Sequence, residues 1–300
     1  MPTRRHILAL MAAATTGRAL AAPAKSRLRA VATFSILGDL VKNAGGERAE
    51  VATLVGPNGD VHVYVPTPAD AKALVAANLV FVNGLGLEGW LDRLIAASGI
   101  KAPVVVASRG IVPRKVADER NPNRLIDDPH AWQSVVNAEI YIANIGDGLI
   151  AADAAGKESY RTDVAAYLAK LDALDREIRA AIAAIPADRR KIITAHKAFG
   201  YFGDAYGLEF IAPEGLSTDA EPSALDVAKI IAQIRAQRIP AVFLESIADP
   251  RLMQQIAAET GAKIGGTVYS DSLSPPNGPA ATYIDMMRHN AREFQRALTS

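Results

Sequence analysis

From Leu28 onward the chain alternates short, mostly apolar, β-rich runs with longer helical stretches in which apolar residues recur every three or four positions. Residues 29–34, 51–55, 79–83 and 104–107 are runs of the first kind, and their length and composition predict buried strands. The rhythm restarts at residues 191–194, 209–212, 241–245 and 263–268, which predicts a second set of four. Strands that alternate with helices pair in parallel, because each return to the same sheet needs a crossover. The pattern therefore predicts an α/β protein with two parallel-sheet lobes. Between the two sets, Val164, Tyr167, Leu168, Leu171, Leu174, Ile178 and Ile182 fall at helical spacing with Asp, Lys, Arg and Glu between them. This predicts one amphipathic helix from Gly156 to Pro186, about 28 residues or roughly 42 Å at 1.5 Å per residue, long enough to act as a stiff strut between lobes. The division expected is a lobe over 28–155, a linker helix over 156–186 and a lobe over 187–300. The stretch 112–124, rich in Arg, Asn, Asp and Pro, reads as an exposed loop.

The first 21 residues do not belong to this pattern. Arg4 and Arg5 lead into the apolar run Ile7-Leu8-Ala9-Leu10-Met11-Ala12-Ala13-Ala14, and Ala19-Leu20-Ala21 supplies a small-residue cleavage site, so the segment reads as an export signal. The paired arginines fit either the general secretory route or the twin-arginine route. No uninterrupted run reaches the roughly 20 residues that a membrane-spanning helix needs. The expected product is a periplasmic protein. Because the chain has no cysteine, no thioether lipid anchor is expected, and disulfides and thiolate metal ligands are excluded with it. Lys and Arg number 33 against 32 Asp and Glu, so nothing announces a nucleic-acid or anionic-membrane partner.

Without cysteine, a metal would have to be held by imidazole and carboxylate. Beyond the signal only four histidines remain, His62, His130, His196 and His289. His62 lies in Gly59-Asp60-Val61-His62-Val63-Tyr64, past the strand that ends near Val55. His130 lies in Asp127-Asp128-Pro129-His130-Ala131-Trp132, whose acids could accept the second imidazole N–H, and Trp132 is expected to pack over the site. His196 follows the strand at 191–194, and Asp271 follows the last one, at 263–268. The loops at the carboxyl ends of parallel strands are where open α/β sheets gather ligands. Any one of these histidines could be a hydrogen-bonding residue and nothing more. Together, three histidines and an aspartate at strand ends, two per lobe, make a four-ligand N3O site across a cleft. Such a set suits Zn²⁺ better than Mg²⁺ or Ca²⁺, which prefer oxygen alone. His289, in a terminal helical stretch, is expected outside the site. Glu245, at the end of a strand, is a candidate to support it.

Four ordered motifs carry a resemblance: Asp60-Val61-His62-Val63-Tyr64-Val65-Pro66-Thr67-Pro68, Asp128-Pro129-His130-Ala131-Trp132, Thr194-Ala195-His196-Lys197-Ala198-Phe199-Gly200-Tyr201-Phe202 and Tyr269-Ser270-Asp271-Ser272-Leu273. The chain from Leu28 to Thr299 resembles the zinc/manganese solute-binding proteins of ATP-binding-cassette importers, the ZnuA/TroA-like periplasmic family. The resemblance implies two α/β lobes joined by one long backbone helix, with the metal in the cleft. It also implies His62, His130, His196 and Asp271 as ligands and a monomer that delivers metal to a permease and its ATPase. His at position 196, where manganese members often carry Glu, implies Zn²⁺, with Mn²⁺ the alternative. The chain departs from the family pattern at Val61, where Pro is common, at Val65, where Glu is common, and in lacking a histidine-rich insert before His130. A zinc metallohydrolase could use a similar ligand set, but no H-E-x-x-H segment occurs and no Glu shares a motif with the histidines. The turn Asn83-Gly84-Leu85-Gly86-Leu87-Glu88-Gly89 has spaced glycines but no phosphate-binding Lys-Ser/Thr, and reads as a strand-to-helix turn. Ser223 is the expected cap of the helix from Ala224.

Overall fold

The structure is a computed structural model, and it describes residues 27–118, 121 and 123–299. The expected export signal, residues 1–21, lies outside the described residues. The first half runs β1 (Leu28–Phe34), α1 (Ser35–Gly45), β2 (Ala49–Val55), α2 (Pro68–Ala76), β3 (Leu79–Val82), α3 (Leu91–Ser98) and β4 (Val104–Val106). A short antiparallel hairpin, β5 (Lys115–Ala117) with β6 (Leu125–Asp127), precedes α4 (Val135–Ala152) and the long α5 (Lys157–Ala183). The second half runs β7 (Lys191–Ile193), α6 (Gly200–Tyr206), β8 (Glu209–Ile211), α7 (Ala224–Gln237), β9 (Ala241–Glu245), α8 (Pro250–Thr260), β10 (Lys263–Val268) and α9 (Tyr283–Thr299).

All eight predicted strands form, in two parallel four-stranded sheets ordered β2-β1-β3-β4 and β10-β9-β7-β8. Read in chain order, both sheets place their first two strands side by side and then step back across the first strand. The two halves thus share a topology that no sequence repeat announces. In each sheet the direction of winding reverses beside the first strand, which opens a crevice at the carboxyl ends. The hairpin β5–β6 corrects the loop reading of 112–124. Its strands are three residues each, too short to show alternation, and the turn is closed by Asp118 N–H to Arg124 O at 2.8 Å and Arg124 N–H to Asn121 O at 2.8 Å.

The linker helix forms over 27 residues and stops three residues short of Pro186, as expected where a proline disfavours helical backbone before it. Tyr160, Tyr167, Leu171, Leu174, Ile178 and Ile182 are its buried stripe, with Val164 and Leu168 partly covered at the edge. It packs on α1 and α4 of the first lobe and on α6 and α9 near the second, joining the lobes as a strut. Helix starts carry the expected local chemistry. Thr67 and Asp70 form a reciprocal capping box ahead of α2, and Ser223 caps α7 by accepting from Asp226 N–H. No helix among the described residues is long and apolar enough to cross a membrane.

One apolar cluster runs from β1 and α1 through α4 and α5 to α9, so the two sheets rest on a shared core, and a smaller cluster fills the space beneath α7 and α8. At its far end Phe294 is fully buried, with the rings of Phe199, Phe202, Phe210 and Phe243 around it at centroid distances of 5.1–5.8 Å, steeply inclined to it. Edge-to-face packing of this kind adds to plain burial. Phe294→Ala is expected to cost about 3–5 kcal/mol, the usual loss for a buried Phe, as read from urea denaturation of the metal-free protein.

Candidate metal centre

Four loops converge between the sheets and bring His62, His130, His196 and Asp271 together, with one ligand atom from each lying within 4.8 Å of all the others. His62 Nε2 is 3.2 Å from His130 Nε2 and 3.1 Å from Asp271 Oδ2, and His196 Nε2 is 3.0 Å from the same oxygen. His130 Nε2 lies 3.6 Å from Asp271 Oδ1. The edges of a tetrahedron with arms of about 2.0–2.1 Å are about 3.3–3.4 Å, so the donors stand close enough together for one divalent ion to reach all four. His130, His196 and Asp271 are fully buried and the His62 side chain is 4% exposed.

The tautomers follow from the outer contacts. His130 Nδ1 is hydrogen-bonded to Asp128 Oδ1 at 2.8 Å, while His196 Nδ1 lies 2.7 Å from Glu245 Oε2 as a close charge contact without hydrogen-bond alignment. A ring that gives its Nδ1 proton to a carboxylate turns the Nε2 lone pair inward, which raises its basicity as a ligand. Two lone pairs and a carboxylate facing one another without a proton repel, so the cluster calls for a cation at its centre. Asp271 Oδ1, buried and without a hydrogen-bond partner, points the same way. In the metal-free protein a proton partly fills that role. Burial opposes a charged His196, but the Glu245 and Asp271 charges outweigh it and hold its pKa well above the usual imidazole value. Burial likewise opposes a charged Asp271, yet His196 and His130 hold its carboxyl well below the usual range. The two shifts describe one interaction seen from its two ends. At the rim, burial pushes the Glu214 carboxyl up to about 7, with His196 opposing and Glu245, Asp60 and Glu221 adding.

Glu245 therefore does support the site: its Oε1 also accepts from Ala195 N–H at 2.7 Å and His196 N–H at 3.0 Å, fixing the whole loop. Trp132 packs beside His130 at a ring distance of 5.4 Å and donates its indole N–H to Ser270 O, joined there by Gln133 Nε2 at 2.7 Å. Residues that follow one ligand thus hold the loop of another. Asn290 brackets the same loop through both backbone groups of Tyr269. Asp60 holds the His62 loop from within through His62 N–H at 2.8 Å and reaches Thr218 in the second lobe at 2.6 Å. His289 stands apart, bonded to Thr267 O. Val65 is 79% exposed, whereas the buried Val61 offers its carbonyl to Trp90.

The glycine-spaced turn is the element whose role the sequence did not reveal. Glu88 closes it by accepting from Asn83 and Gly84 N–H and from Thr33 Oγ1. From this closed turn Asn83 donates to Pro129 O at 3.0 Å, and Trp90 donates to Val61 O at 2.8 Å. One turn therefore sets the position of both first-lobe ligand loops.

Residues 30–297 match the family described as ZnuA, zinc-uptake complex component A, periplasmic. The chain is 34% identical to the manganese-binding lipoprotein MntA of Halalkalibacterium halodurans over 91% of its own length and 89% of that protein. It is 36% identical to the iron-binding protein YfeA of Yersinia pestis, over 87% and 83% of the two chains. Among solved structures, the periplasmic zinc-binding protein TroA of Treponema pallidum superposes with a TM-score of 0.85 at 29% identity, covering 91% of this chain and 99% of TroA. The manganese-bound periplasmic metal-binding protein of Candidatus Liberibacter asiaticus gives 0.81 at 30% identity, over 91% and 100% of the chains.

Trp90→Phe keeps the ring but leaves the buried Val61 carbonyl without its donor. A loss of about 1–3 kcal/mol in the stability of the metal-free protein is expected, measured by urea denaturation.

Proposed function

The chain belongs to the ZnuA/TroA-like family of periplasmic metal-binding components of ATP-binding-cassette importers, and from that premise we propose that it carries one divalent transition-metal ion, zinc before manganese. The proposed ligands are His62, His130, His196 and Asp271, and the proposed recipient is the importer's permease with its ATPase. The family is one of carriers, not enzymes, which sets the metallohydrolase reading aside. The observation that carries the proposal is the convergence of three imidazoles and a carboxylate from four loops, two of the imidazoles backed by carboxylates of their own. Four protein donors complete a tetrahedral shell, so no position is kept for a reacting water.

Zinc is favoured by the donor set. A nitrogen-rich site ranks zinc above manganese on intrinsic affinity, while manganese prefers carboxylate and water oxygen. Manganese is the second reading, supported by relatives named for manganese. The proposal further takes residues 28–155 and 187–300 as lobes about the linker 156–186, in a monomer. Several relatives are named lipoproteins, and we propose that this protein is exported like them, which cell fractionation checks.

Metal content and competitive titration test the site. One tightly held zinc per chain is expected, lost in His130→Ala and weakened far more by His196→Ala than by His289→Ala. Comparable manganese affinity would move the transport assignment to manganese, and absence of binding for both metals would refute the site. The pH dependence has a definite sign. Because the His196 pKa is raised in the metal-free protein, metal must displace a proton, so uptake releases protons. Affinity is expected to decline on acidification beginning above pH about 6.5, the value of a free imidazole, as read by titration across pH.

A further inference from the structure

Behind the ligand cluster, the helix that follows the His196 loop is seated on the segment that precedes His130. The Tyr201 hydroxyl of α6 accepts from the Arg114 backbone N–H at 2.8 Å and donates to the Asp128 carbonyl at 3.0 Å. One turn on, Asp204 accepts from Arg114 Nε at 3.0 Å. The same guanidinium lies 3.6 Å from Asp128 Oδ2, the carboxylate oxygen that His130 leaves free. Arg114 thus stands between two carboxylates, one from each lobe. Asp128 is fully buried, and a buried polar group left without a partner is costly.

Gly200 is the second observation. It begins α6, and a Cβ there would lie 2.8 Å from both Arg114 Nη1 and Asp128 Oδ2. Its backbone is not in the left-handed region, so chain conformation does not require glycine at this position. What requires it is the close approach of α6 to the Arg114 and Asp128 pair.

Resting on the metal-site reading above, we infer that Arg114, seated by Gly200, is a positioning residue that sets how long the metal is retained. Contact of α6 with the hairpin segment holds the guanidinium at Asp128. Asp128 in turn holds the His130 Nδ1 proton, which keeps the His130 Nε2 lone pair on the ion. Separation of the lobes removes Asp204 and Tyr201 from Arg114, loosens that chain of contacts and weakens the His130 bond to the metal. Release is thereby coupled to lobe contact through side chains that never touch the ion. A simple surface ion pair would contribute little and would leave metal kinetics unchanged.

The test loads the mature protein with zinc and follows its transfer to a chelator by stopped flow, alongside the thermal midpoint of the metal-free form. Arg114→Met and Gly200→Ala are each expected to speed release about tenfold, the low end of the effect of outer residues on metal affinity, measured well below the metal-free midpoint, which is expected to fall in Arg114→Met because buried Asp128 loses its neighbouring cation. Gly200→Ala alters no charge and improves helix propensity, so faster release there isolates the positioning effect. In an Asp128→Asn background, Arg114→Met should add nothing, because the partner through which it acts is gone. Wild-type release rates in both single variants, or an undiminished Arg114→Met effect in Asp128→Asn, would overturn the inference. Wild-type protein that holds no zinc would refute the metal site itself, an outcome distinct from tight binding that ignores Arg114.

Discussion

Three imidazoles and a carboxylate whose donor atoms lie within 4.8 Å of one another, almost wholly out of reach of water, repel unless a cation lies among them. A chain left free would turn these side chains outward to solvent, so the rest of the molecule has to oppose that relaxation. The opposition begins one contact out, where Asp128 accepts from His130 Nδ1 and the Glu245 carboxylate lies against His196 Nδ1. It continues through backbone contacts: Glu245 on the amides of 195 and 196, Asp60 on the amide of 62, and Trp132 with Gln133 on the carbonyl of 270.

These contacts explain why the two sheets are built as they are. In a parallel sheet every carboxyl end lies on the same edge, so loops after different strands meet there without a long excursion. His62 comes after β2, His196 after β7 and Asp271 after β10, and the fully apolar strand β3 leads into the turn that positions the loops of His62 and His130. Loops alone would be too mobile to hold four donors. Here each is tied to another, as where Asn58 N–H reaches Leu273 O and Ser35 accepts from Leu273 N–H, so that the Asp271 loop is bound to the first lobe as firmly as to its own.

The strut and the shared core limit how the halves can move. A cluster that passes uninterrupted from β1 to α9 resists large reorientation, because opening it would expose apolar surface along the 27-residue helix. The contacts at the cleft that could part without exposing that core are polar ones, such as Asp60 with Thr218 and α6 with Arg114. Those are polar and partly exposed, and they exchange with water at little cost.

Sequence alone determined the elements whose cause is local. Apolar runs marked all eight sheet strands, helical spacing marked the linker helix, and Ser223 marked a cap, because each of these is set by neighbours within a turn or two of chain. It also singled out the four histidine and aspartate positions, since each lies in a distinctive motif, three of them past the end of a predicted strand. What only the tertiary structure decided were relations between distant residues. The β5–β6 hairpin is too short to leave a period, and the glycine-spaced turn looked like simple punctuation until Asn83 and Trp90 were seen holding carbonyls 46 and 29 residues away. Gln133, Asn290 and Arg114 carry no signature in their own segments, and Gly200, although inside a recognised motif, gives no hint of what it packs against. Their roles depend on which atom of another loop stands within 3 Å or so, and that distance is settled by how the two sheets pack on the common core, not by any pattern along the chain.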